Sequence, residues 1–173
     1  MRNRLLIAAA VTAVTAGVCG PAAVAADRAD NQDAVFLASV HQGNLAEIAA
    51  GQDAQRNATT ECVKTVGARI VADHQKLDQD VKAVAAQLKT TLPTAPTADQ
   101  QQKLKDVQAK AKTSGYDSAW LAGQDAAHRS TLALIRLEIS SGKDSAAVAA
   151  AKQAEPVVTM HLDMVRGGTC HAM

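Results

Sequence analysis

Apolar residues recur along this chain at intervals of three and four, the spacing that lines one face of an α-helix, and breaks in that rhythm divide it into five helical segments. The first is predicted over about residues 31–57, with Leu37, Val40, Asn44, Ile48 and Gly51 on one face. The second, about 60–89, repeats Val63, Val66, Ile70, Leu77, Val81, Val84 and Leu88 and carries the strongest pattern. Leu92-Pro93-Thr94-Ala95-Pro96 stops it, because each proline lacks an N–H and restricts the residue before it. Thr97 with Gln100 forms a capping-box pattern that opens a short polar segment to about Lys112. Ser114 and Asp117 are placed to cap a fourth helix to about Ser140, with Leu121, Asp125, His128, Leu132, Ile135 and Ile139 inward. Asp144 or Ser145 starts a fifth, lined by Ala147, Ala151, Ala154, Val158, His161 and Val165 and ended by Gly167-Gly168. Pro156 lies within it and either kinks one helix or divides two.

Composition narrows the fold class. Of 173 residues 47% are hydrophobic, enough for a core, but only 2% are aromatic, which nearly excludes an all-β fold. The formal net charge is +1 and no Lys/Arg run occurs, so the electrostatic footprint of a nucleic-acid partner is missing. Arg2 and Arg4, the uncharged run Leu5 to Val18 and the small residues Ala23 to Ala26 form a secretory leader pattern over residues 1–26. Its apolar stretch is shorter than a membrane span requires. Without it the chain carries 16 Lys/Arg against 17 Asp/Glu, no transmembrane span, and a single domain over 27–173.

Export changes the meaning of Cys62 and Cys170. In an oxidising compartment they read as one long-range disulfide, the alternative being two free thiols. Four long amphipathic segments plus a short one predict an all-α four-helix bundle with a crossover helix between the second and fourth helical segments. A Cys62–Cys170 bond would require that crossover to span the bundle, the ferritin-like connectivity.

Several short motifs, in order and spacing, then converge on one family. Phe36-Leu37 with Gly43-Asn44-Leu45-Ala46-Glu47, Ala72-Asp73-His74 with Lys76, Trp120-Leu121 ahead of His128, and Pro156 ahead of His161-Leu162 resemble the bacterial exported family of domain of unknown function 4142 (DUF4142) over about residues 32–166. The resemblance implies export, a bundle related to ferritin and no settled activity. Ala127 and Ala49 stand where the family tends to carry acidic residues.

The remaining chemistry lies in the histidines. His74, His128 and His161 fall on three predicted inward faces, where an imidazole costs free energy unless bonded or liganded. At about 1.5 Å per residue, His74 and His128 sit roughly 20 and 18 Å from the shared end but His161 only about 9 Å. That arithmetic favours a His74/His128 pair with Asp125, and with His41 or Glu47 from the first helix, over a single three-histidine site. The candidate metal ligands are therefore His74, Asp125 and His128, followed by His41, Glu47 and His161. The ion would be zinc, copper or iron. Glu-x-x-His pairs of di-iron bundles are absent, as are phosphate loops and nucleophile elbows. Other readings of the histidines are hydrogen-bonded core groups, with Asn44, Asp125 or Thr131 as partners, and a proton-responsive switch. Asp73, Asp78, Asp80 and Lys76 read as a solvated face. The expectation is an exported binding or envelope-associated module, without catalytic residues and free to form a homo-oligomer. The alternative is a metal protein for storage, sensing or redox work.

Overall fold

The computed structural model describes residues 21–171, with side chains from residue 32 onward, and every regular element among them is helical. The elements are α1 (Pro21–Asn57), α2 (Glu61–Gln87), α3 (Ala98–Gln108), α4 (Ser114–Ser141) and α5 (Ser145–Val165), followed by one 3-10 turn, Arg166–Gly168. The all-α class is as predicted. The leader predicted over residues 1–26 lies outside the described residues except for 21–26, which belong to α1.

Local chemistry sets the helix ends. The Thr60 hydroxyl accepts from the Val63 N–H at the start of α2. Thr97 and Gln100 form the predicted reciprocal capping box of α3. Asp144 caps α5 by accepting from Ala146 and Ala147, and α5 runs unbroken through Pro156, so the division into two helices does not occur. Gly167 and Gly168 leave α5 with φ of 66° and 71°, left-handed conformations that favour glycine. Ser114 and Asp117 do not cap α4, whose N-cap Thr113 makes no capping bond and instead donates its hydroxyl to the Lys110 carbonyl. Asp117 instead accepts from the backbone and hydroxyl groups of Thr59 and Thr60. Burial alone would raise its carboxyl pKa, but these bonds hold it below the ordinary value.

Each of the four long helices packs on two others: α1 on α2 and α4, and α5 on α4 and α2. The short α3 lies against α1 and α4 and buries none of its own residues. Asp117 ties the start of α4 to the start of α2, and a disulfide joins Cys62, one residue into α2, to Cys170 beyond α5. These links put the starts of α2 and α4 at one end. The α1/α2 contact is unusually close. A Cβ on Gly51 would lie 2.5 Å from the Gly67 carbonyl oxygen, and one on Gly67 would lie 2.9 Å from the Ala54 Cβ. Gly51→Ala is therefore expected to lower stability by about 1–3 kcal/mol through overpacking, outweighing the gain of about 1 kcal/mol in helix propensity. Denaturant unfolding checks the sign; a stabilised variant would show that the helices part freely.

The core is divided into two apolar clusters. One contains Phe36, Leu37, Val40, Val81, Leu132, Ile135 and Val158. The other, nearer the disulfide, contains Val63, Val66, Ile70, Tyr116, Trp120, Leu121 and Val165. Phe36 and Trp120 face inward, and Tyr116 joins them, donating to Asp53 at 2.7 Å. Between the clusters the helices carry a buried polar layer.

Candidate functional site

Three histidines meet in that layer. His74 from α2 follows Ile70 of one cluster and precedes Val81 of the other; His128 lies between Leu121 and Leu132, and His161 between Val158 and Val165. All three are buried, and their ring centroids are 5.2–5.7 Å apart. The sequence expectation that His161 lies two turns from the others is corrected. It assumed that α5 ends level with the start of α2. In fact the Gly167 N–H donates to Asp125 on α4 at 2.9 Å, so α5 ends well inside the bundle and the segment through Cys170 covers the remaining distance.

The bonding of each ring decides which nitrogen is free. His128 Nδ1 donates to the Gln124 backbone carbonyl at 2.8 Å, an acceptor that fixes the proton on Nδ1. His161 Nε2 donates to the Asp73 carboxylate at 2.9 Å, and His74 Nδ1 donates to the Asn44 amide oxygen at 2.8 Å. The other nitrogens, His74 Nε2, His128 Nε2 and His161 Nδ1, are buried and have no hydrogen-bond partner. Each ring also brings one of its nitrogens within 4.8 Å of a nitrogen of the other two. Each imidazole is thus oriented by an oxygen acceptor on one side and offers a lone pair on the other, the arrangement found at metal-ligating histidines.

Burial disfavours protonation of two of the rings, His74 and His161. Burial, reinforced by His128 and His161, pushes the His74 pKa well below its ordinary value. Burial also dominates at His161, whose pKa falls to about 4 although Asp73 opposes the shift. Partial burial would raise the Asp73 pKa, but bonds from Arg69 and His161 hold it below the usual carboxylate range. Asp73 and His161 thus form a carboxylate–imidazole pair reaching from the surface into the layer.

A pH dependence follows. An unfolded histidine takes up its proton near pH 6.5 but folded His161 only near pH 4, so the unfolded state binds the extra proton between these values. Stability is full above pH 6.5 and falls towards pH 4, by on the order of 3 kcal/mol from His161. Glu138 acts in the opposite sense: burial, then neighbouring Asp33, raises its pKa to about 7, so its contribution is lost as pH rises from 4.5. Denaturation at acid and neutral pH should therefore show a steeper acid loss in Glu138→Gln than in the native chain. An unchanged slope would contradict this assignment.

The other sequence candidates separate from the trio. Asp125, expected inward, lies at the rim, bonded to Arg129 and Gly167. His41 pairs with Asp78 at 2.5 Å, so neither joins the trio and Asp78 is buried, not solvated. Asp73 likewise leaves the predicted solvated face to bond His161. Glu47 is buried with His128 and Gln124 near it, but it lies outside the group of converging ligand atoms. Burial raises its pKa against the opposing effects of His128 and Gln124. Asn44 holds His74, as one reading of the histidines allowed, whereas Asp125 bonds none of the three.

No helix among the described residues is long and apolar enough to cross a membrane. No curated protein and no solved structure matches the chain. The model of one family, described as a domain of unknown function (DUF4142), matches residues 19–167 and so takes in the whole polar layer; the chain belongs to that family.

Proposed function

We propose that this protein is an exported metal-binding module of ferritin-like four-helix-bundle architecture, a single domain over residues 27–173, in which His74, His128 and His161 hold one transition metal ion. One observation carries the reading: three buried imidazoles each bring a ring nitrogen within 4.8 Å of the others, and each ring has one nitrogen fixed by an acceptor and the other without a partner. A tetrahedral ion with bonds of about 2.0–2.1 Å would draw these nitrogens closer by small side-chain rotations. Imidazole donors suit zinc and copper; a mononuclear iron site of the facial type would want a carboxylate bound directly to the ion, and none belongs to the group. The depressed histidine pKa values limit proton competition in mildly acid solution. The Cys62–Cys170 pair and the leader pattern support an oxidising, exported location, with envelope association and self-association as its further expectations.

Untagged, chelator-stripped protein dialysed against zinc or copper and then against buffer tests the reading by metal analysis. One ion per chain is expected. His74→Ala, His128→Ala and His161→Ala should each abolish it, whereas Asp125→Ala should keep it. A native chain without bound ion, or alanine variants that retain it, would overturn the proposal.

A further inference from the structure

Two cavities flank the histidine layer, and they differ in chemistry. The one away from the disulfide is lined chiefly by Phe36, Val40, Leu77, Val81, Ile135 and Val158; the polar group nearest the trio there, Asn44, is already engaged with His74. The other is a cleft between α1, α3 and α4, lined among others by Ala46, Glu47, Leu104, Val107, Trp120 and Gln124. Glu47 and Gln124 are 8% and 5% exposed, and each keeps a buried oxygen, Oε2 and Oε1 respectively, without a hydrogen-bond partner. Both unpartnered atoms are oxygens, and so both are acceptors. A cation or a hydrogen-bond donor is what such a pair lacks. On the inner side Gln124 holds His128 through its backbone carbonyl, and Glu47 lies close enough to attract the same ring.

We propose, resting on the histidine reading above, that this cleft is the path by which the metal cation reaches the trio, with Glu47 and Gln124 as the oxygen ligands that receive it on the way. A hydrated dication stripped of water in an apolar passage loses far more than it regains. Exchanging part of its water for a carboxylate and an amide oxygen spreads that loss over two steps, and the second step hands the ion from oxygen to imidazole nitrogen. The roof of the cleft, α3, starts from a capping box and buries no residue fully, with Val107 packed against the core cluster nearer the disulfide. Lys103 also lines the cleft, but its ammonium is paired with Asp99 at 2.7 Å.

Stopped-flow mixing of the chelator-stripped full-length chain with cobalt(II) separates path from destination. The visible absorption of tetrahedral cobalt reports arrival at the trio, and quenching of Trp120, the one tryptophan of the chain, reports entry into the cleft. Glu47→Gln and, by filling the cleft from α1, Ala46→Phe should each slow uptake by roughly tenfold or more, with the same final occupancy of one cobalt per chain. Ala154→Leu, which fills the opposite cavity, should leave the rate unchanged. Native rates in both cleft variants, or a slowed Ala154→Leu, would overturn the path while leaving the histidine site standing. A native chain that takes up no cobalt at equilibrium removes the histidine site and the path together.

Discussion

Chelator-treated protein carrying His128→Leu is expected to unfold at the temperature of the native chain or higher, and to lose the stabilisation that zinc or copper confers. His128 Nε2 is buried without a partner, so the metal-free protein carries an unsatisfied polar atom costing about 1–3 kcal/mol. Leucine has a similar volume and no polar atom. The Gln124 carbonyl freed by the substitution still has its place in the backbone ladder of α4. The metal-bound comparison has the opposite sign and a larger size. An ion at a thousandfold excess over its Kd stabilises the folded state by about 4 kcal/mol. For a domain of this length that is on the order of 10 °C in Tm. Calorimetry with and without metal therefore separates two roles. A histidine retained for core structure would make His128→Leu less stable in chelator and indifferent to metal in both chains. A ligand makes the variant equal or better without metal and worse with it.

Replacing Cys62 and Cys170 together by alanine should cost roughly 4–5 kcal/mol. The bond joins residues 108 apart, and closing a loop of about 100 residues removes an amount of unfolded-chain entropy worth about 4.7 kcal/mol. The anchor also holds the tail that follows α5, where His171 donates to the Met164 carbonyl. His161 is fixed independently by Asp73 and by packing on α2 and α4, so the double variant should still bind metal. Thermal unfolding, run with metal titration, reads both expectations. A drop of only a degree or two would show that the chain end contributes little.

Helix periodicity was sufficient to place α2, α4 and α5, because their apolar positions repeat at three and four and their ends carry Thr60, Asp144 and Gly167-Gly168. The α3 capping box is equally local, with donor and acceptor three residues apart. The site was only partly legible. Two of its histidines were paired correctly by counting rise along α2 and α4, which start level. His161 was misplaced because no local pattern shows that Arg166–Cys170 extends past α5 to reach Cys62. Asp125 was misplaced for a geometric reason. A residue three before His128 is rotated by about 60° around the helix, enough to carry it from the core to the rim, where Arg129 and Gly167 take it. Asp73 stands beside His74 in sequence but serves His161, 88 residues away, and only the α2/α5 packing makes that contact. Glu138 likewise shows no sequence signal of its burial against Asp33.

X-ray absorption of the zinc- or copper-loaded protein examines the coordination itself. The three-histidine site predicts nitrogen neighbours at about 2.0–2.1 Å for zinc, with further scattering from three imidazole rings, and no such signal in His161→Ala. A shell dominated by carboxylate or sulfur, or one that His161→Ala leaves unchanged, would contradict it.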